Sequence, residues 1–197
     1  MKERKAEIFR NTAETEISVK LKLENQSFCD LNTGVGFLDH MLEQLSRHGN
    51  LSLQINVKRI KSPDHHHVVE DCGIVLGQAF RKAIEDRKGI IRYASASIPM
   101  DESLVDVSLD LADRAFLSYN IKTENPKIGD FEVELAEEFW RAFVNNFGLT
   151  LHISKIRGEN SHHIIESSFK AVAVALRNAI KYDPDKPNTM PSTKEIL

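Results

Sequence analysis

"HHHVVED" at residues 65–71 and "SHHIIES" at residues 161–167 are near copies of each other. In each, two adjacent histidines are followed by two β-branched residues and a glutamate: His66, His67 and Glu70, then His162, His163 and Glu166. A shift of 96 residues superposes them, and it also lays Ala79 on Ala175, Arg81 on Arg177 and Ile84 on Ile180. A slightly larger shift lays the segment around Glu138 on the segment around His40. This period is too long for a solenoid. The chain reads as an α/β (α+β) protein made of a duplicated half-domain, each copy running strands, helix, strand, helix.

Hydrophobic periodicity fills in those elements. Ile17, Val19, Leu21 and Leu23 alternate with polar residues, as in a half-buried strand. Phe37, Leu38, Met41, Leu42 and Leu45 make one helical stripe, and Gly49 suits its stop. "LSLQINV" alternates again, and a long helix follows from the first motif to near Gly89. In the second copy "IIRYASASI", "LVDVSLDL" and "AFLSYNI" read as strands, and "DFEVELAEEFWRAFVNNFG" as a helix. "LTLHISKI" is then a strand and "SHHIIESSFKAVAVALRNAIKY" a long helix. The half-repeats span 1–89 and 90–182. The tail 183–197 holds three prolines and is expected to lack regular structure. Together they form one functional domain.

A chain of 197 residues can bury a sizeable core. A net charge of −3 gives no broad attraction to nucleic acid or membrane, so neither is expected as a partner. The N-terminus lacks an apolar signal core and no run reaches membrane-spanning length, which predicts a cytoplasmic protein. Cys29 and Cys72 read as two buried free thiols of a reducing compartment, with one disulfide as the alternative. Histidine is the unusual residue: five of the eight lie in the two motifs.

Residues four apart on a helix share a face, while neighbours diverge by about 100°. His66 therefore points with Glu70, and His162 with Glu166, while His67 and His163 point elsewhere. One helix can hand an imidazole and a carboxylate to one metal and a lone imidazole to another. A single His-His pair is most simply a solvated helix start. Two copies with glutamate at the same offset point to two similar metals. Imidazole and carboxylate without thiolate suit manganese, iron or zinc, and six-coordinate sites with open positions favour manganese.

"RNTAETEI", "NTGVGFLDHML", "HHVVED", "IPMDESL", "TLHI", "GENSHHIIESSFKA" and "PSTKEIL" stand in fixed order over nearly the whole chain. In these strings the sequence resembles the imidazoleglycerol-phosphate dehydratases of histidine biosynthesis. The resemblance implies a helix layer packed between two four-stranded sheets. It implies a cytoplasmic hydro-lyase that converts imidazole glycerol phosphate to imidazole acetol phosphate. Two Mn2+ ions per subunit are implied at subunit interfaces of a homo-oligomer, a twenty-four-subunit shell built from trimers. Carried over, one metal takes His40, His67, His162 and Glu166; the other takes His66, Glu70, His163 and the residue at position 138. Many members carry histidine where this chain has Glu138. The chain also departs from the family around 58–64, 111–115 and Glu195.

The reaction so implied would expel hydroxide from the carbon attached to the ring, with the ring as electron source, and take a proton from the next carbon. Glu14, in "AETE", is the implied base. Asp39 and Asp71, beside ligands, are expected to fix histidine tautomers. Glu102, in "PMDE", is expected near the site but receives no role. The resemblance places Arg92, Arg114, Lys170, Ser192, Thr193 and Lys194 on the substrate phosphate and His48 in the substrate site, whereas His152 reads equally well as structural. The competing classes are a dinuclear-metal phosphatase and a non-catalytic assembly protein stapled by metal; the latter needs no phosphate pocket.

Overall fold

A computed structural model describes residues 3–59, 61, 63–187 and 189–196. Residues 60 and 62, within the unusual stretch before the first motif, lie outside the described residues.

The first half runs β1 (Lys5–Asn11), β2 (Thr15–Lys22), β3 (Cys29–Asn32), α1 (Gly36–Gly49), β4 (Ser52–Arg59) and α2 (His66–Ile84). The second runs β5 (Tyr93–Met100), β6 (Ser103–Asp110), β7 (Phe116–Asn120), a short hairpin β8 (Lys127–Ile128) and β9 (Phe131–Glu132), α3 (Leu135–Phe147), β10 (Thr150–Arg157) and α4 (Ser161–Ala179). The sheets have matching orders, β1-β2-β4-β3 and β5-β6-β10-β7. In each, the last pair is parallel and the others antiparallel. The duplication is thus present in topology, with the β8–β9 hairpin as an addition to the second copy.

Strand alternation decides which face is covered. Ile17, Val19 and Leu21 of β2 and Val105, Val107 and Leu109 of β6 are buried, while their neighbours face outward. α2 covers β1 and β2, and α4 covers β5 and β6. The helices then pair across the repeat, α1 on α4 and α2 on α3. Each half therefore completes the other's apolar face, and one buried cluster runs through both. This is the expected helix layer between two four-stranded sheets.

The α2–α3 contact is backbone-close. A Cβ on Gly73 would lie 2.5 Å from the Phe139 carbonyl oxygen, and one on Gly77 2.6 Å from that of Phe143. Glycine at these positions lets the two helices approach.

The structure corrects several boundaries. α2 stops at Ile84 rather than near Gly89, and Glu85 and Arg87 take φ of 57° and 59°. The turn sends the buried Arg87 guanidinium to the Phe147 and Gly148 carbonyls at 2.7 and 3.1 Å. Those carbonyls end α3, so satisfying them competes with prolonging α2. α3 begins at Leu135 because Phe131 and Glu132 pair in the added hairpin. α4 ends at Ala179, short of Tyr182. Both cysteines are free, as expected, but Cys29 is exposed on an edge strand and only Cys72 is buried. The described part of the tail holds no helix or strand. Among the described residues no helix is long and apolar enough to cross a membrane.

Candidate metal centre and active site

Asn160 caps α4: its side-chain oxygen accepts from the backbone N–H of His162 at 2.9 Å and of His163 at 3.4 Å. The helix thereby starts at the motif, and Glu166 falls one turn below His162. His162 Nε2 lies 3.0 Å from Glu166 Oε2. α1, packed on α4, brings His40 Nε2 to 3.2 Å from the same oxygen. Phe37 stands edge-on to His162, with ring centroids 5.2 Å apart. The ligand atoms of His40, His162 and Glu166 all lie within 4.8 Å of one another.

Glu166 is 5% exposed, and its other oxygen takes Lys170 Nζ at 2.6 Å. Burial pushes its carboxyl upward. The Lys170 hydrogen bond and charge, helped by the two imidazoles, outweigh burial and hold it below the ordinary carboxylate range. The carboxylate is ionised, acceptor-only and shared by two imidazoles. Such a donor set fits a borderline or hard divalent cation.

The first motif opens α2 at another place. His66 and His67 have perpendicular rings 5.8 Å apart. His67 Nδ1 is 3.5 Å from Glu14 Oε2, yet it is buried without a hydrogen-bond partner. The distance admits charge attraction; the geometry does not make a hydrogen bond. Arg10, Thr12, Glu14, His67, Glu70 and Asp71 line a hollow of about 350 Å³. Glu138 is half-buried on α3, the helix packed on α2, much as His40 sits on the helix packed on α4.

Among the described residues, only His40, His162 and Glu166 gather tightly enough to hold an ion. His67 does not join them within this chain, and His66, Glu70, Glu138 and His163 form no second cluster. His163 instead places Nδ1 2.8 Å from Glu102.

The expected phosphate ligands also divide. Arg92, Arg114, Ser192, Thr193 and Lys194 line one groove of about 710 Å³ beside the tail. Asp110 grips Arg92 at 2.7 and 3.2 Å, and Arg92 donates to the Pro191 carbonyl at 2.6 Å, fixing the tail. Lys170 lies elsewhere, 3.9 Å from Met100 Sδ and bonded to Glu166. Arg92 and Met100 bracket β5, and an eight-residue strand separates them by about 26 Å. His48 belongs with Lys170: burial, then the charges of Lys170, Arg47 and Arg177, make its imidazole harder to protonate. His152 lies on β10 against Phe116, with ring centroids 5.5 Å apart.

A profile of the imidazoleglycerol-phosphate dehydratases matches residues 33–176. Proteins of that name from Cereibacter sphaeroides and a Ruegeria species are 49% and 50% identical over 194 residues, covering 98% of this chain and 100% of each relative. The chain belongs to the imidazoleglycerol-phosphate dehydratase family. The crystal structure of imidazoleglycerol-phosphate dehydratase from Staphylococcus aureus superposes with a TM-score of 0.83 at 42% identity, covering 91% of this chain and 99% of that one. The Pyrococcus furiosus enzyme, in complex with (S)-C348, gives 0.83 at 32% identity over 96% and 100%.

In this imidazoleglycerol-phosphate dehydratase fold, two acids differ from expectation. Asp39 accepts from the Thr33 amide and hydroxyl at 3.0 and 2.7 Å. Asp71 binds Arg10 Nε at 2.9 Å and the Thr15 hydroxyl. Asp39 braces the loop before α1, and Asp71, which lines the same hollow as His67, is taken by Arg10 and Thr15 of the first hairpin; neither bonds a histidine. The Asp71 contacts clamp the β1–β2 hairpin to α2 and so hold Glu14 over His67. The acid from outside the motifs that lies within hydrogen-bond distance of a motif histidine is Glu102, which sequence reasoning left without a role.

Proposed function

We propose that the chain removes water from imidazole glycerol phosphate to give imidazole acetol phosphate, as a cytoplasmic enzyme of histidine biosynthesis. The observation that carries this reading is the convergence of His40, His162 and Glu166. It occurs in a chain with full-length kinship to dehydratases. His40, His67, His162 and Glu166 would hold one Mn2+, and His66, Glu70, His163 and Glu138 the other. Bound there, the metal supplies Lewis acidity toward the substrate's imidazole ring.

The chain's own groups do the rest. The C–O bond beside the ring breaks as hydroxide leaves, and the C–H bond on the next carbon yields its proton. Glu14 takes that proton; it stands on a hairpin turn, 44% exposed and without a tight partner at its carboxylate. The resulting enol becomes the ketone. Arg92 and Arg114, with Ser192, Thr193 and Lys194, offer fork donors, hydroxyls and a cation to the phosphate.

Several chains build each site. Arg92 and Lys170 sit too far apart for one phosphate, and His67 is remote from the cluster it would complete. Copies of the chain can supply both, in a closed homo-oligomer of twenty-four subunits built from trimers. Exposed Phe9 and Phe116, at 64% and 55%, offer apolar contact surface for such copies.

Purified protein with Mn2+ should convert imidazole glycerol phosphate to the ketone without releasing inorganic phosphate. Stoichiometric phosphate release would replace this reading by the phosphatase. Sedimentation with a chelator should show a smaller species, a trimer, that reassembles on adding Mn2+. An unchanged mass would refute metal-linked assembly.

A further inference from the structure

The duplicated unit places a glutamate at the same point of each opening hairpin. Glu14 immediately precedes β2 and Glu102 immediately precedes β6. Each is followed by a buried hydroxyl residue, Thr15 or Ser103, and then by matching strand burial. Each faces Nδ1 of the second histidine of its own half's motif, Glu14 facing His67 and Glu102 facing His163. The two are structural twins.

Their surroundings differ. Glu14 stands 3.5 Å from His67 Nδ1 without a hydrogen bond. Glu102 is pinned. Its Oε1 accepts from the Ser103 hydroxyl at 2.9 Å and from the backbone N–H of Glu159 and Asn160 at 3.2 and 2.9 Å. Its Oε2 meets His163 Nδ1 at 2.8 Å. His163, the Asn160 amide and Ser103 hold the carboxyl far below the usual range. With these contacts Glu102 has little acceptor capacity left for a substrate proton, whereas Glu14 does.

An ionised carboxylate can only accept. A neutral imidazole facing it must therefore place its proton on Nδ1, which leaves the lone pair on Nε2. That Nε2 is 3.8 Å from Asp101, beyond hydrogen-bond reach. Asn160 donates its backbone N–H to Glu102 and caps the His163 turn with its side chain, so one carboxylate sets both the backbone and the ring of His163.

We propose that Glu102 is a positioning residue that fixes His163 as the Nδ1–H tautomer and so presents Nε2 to the metal. The duplicated glutamate has split its work: Glu14 moves a proton and Glu102 orients a ligand. The metal half of this proposal rests on the reading of His163 as a ligand; the tautomer half does not.

Metal-free protein with 15N-labelled histidine, read by long-range 1H–15N NMR at pH 8, tests the tautomer directly. Wild type should show His163 protonated on Nδ1. In Glu102→Gln the two backbone donors keep the amide oxygen in place and turn the NH2 toward His163. Nδ1 must then accept, and the proton should move to Nε2. Mn2+ binding at one of the two sites should weaken by about 10–100-fold. Ser103→Ala, which removes one donor and keeps the carboxylate, should retain the wild-type tautomer. A wild-type His163 protonated on Nε2 overturns the proposal, as does a tautomer unchanged in Glu102→Gln. A moved proton with undiminished Mn2+ affinity overturns the metal half. Failure of the dehydratase reading would show separately, as absent turnover in wild type carrying both ions.

Discussion

Gly73→Ala probes the link between helix packing and the proposed second metal site. The added Cβ would lie 2.5 Å from the Phe139 carbonyl oxygen and 2.9 Å from Ala142 Cβ. Ordinary heavy-atom contact begins near ~3.5 Å, so α2 and α3 must part by roughly 1 Å. Removing a helical glycine returns up to ~1 kcal/mol of propensity. Overpacking costs about 1–3 kcal/mol, and a gap of that size forfeits a quarter to a half of the dispersion across the contact. The loss wins by about 1–2 kcal/mol, or roughly 2–8 °C in Tm for a chain of this size. The clash is with the residue after Glu138, so the spacing between Glu138 and Glu70 opens as well. Thermal unfolding in chelator and Mn2+ titration should both be run, against Gly36→Ala, where a Cβ meets nothing within 4 Å. Gly73→Ala should melt lower and lose one Mn2+ site while the His40 site persists. A variant as stable as Gly36→Ala, with both sites intact, refutes the reasoning.

Glu14→Gln should keep both metals and substrate binding while turnover falls about 10²–10⁴-fold; near wild-type turnover removes Glu14 as the base. Glu138→Ala should weaken one Mn2+ site and Glu138→His should restore it, whereas unchanged binding in Glu138→Ala makes the residue a surface charge. Mn2+ affinity should fall as pH drops through about 6, because imidazole must be neutral to ligate, and a flat profile from pH 8 to 5 argues against histidine ligands. A disulfide reagent should label Cys29 in the native protein and Cys72 only after unfolding, because burial pushes the Cys72 thiol well above its usual range. Its proton is lost first from the unfolded chain, so this thiol's contribution to stability falls as pH rises above about 8.5, and rapid native labelling of both cysteines would contradict its burial.

The repeat was legible because the motif residues are close in sequence and sit on a regular helix, where spacing alone fixes which side chains share a face. That reasoning found His162 with Glu166, and strand alternation found the buried faces of β2 and β6. It could not find the twin glutamates, because the two halves do not keep one offset. The β8–β9 hairpin lengthens the path from β7 to α3, so the shift that aligns the helical motifs misaligns the opening hairpins. Glu14 and Glu102 become equivalent only when each is counted from the strand it precedes. The same limit explains Asp39 and Asp71. Asp39 points away from His40, its neighbour on the helix, and reaches a loop, while Asp71 shares the His67 face but is claimed by Arg10 and Thr15, partners that only the fold brings near. It also explains why five phosphate residues and Lys170 read as one set yet lie at opposite ends of β5. Order along the chain says which groups a reaction needs, but an extended strand of eight residues decides that one copy cannot bring them together. Duplication then has a physical use: two similar halves make two similar half-sites, and a closed assembly can mate the face that one copy leaves open with the face that another supplies.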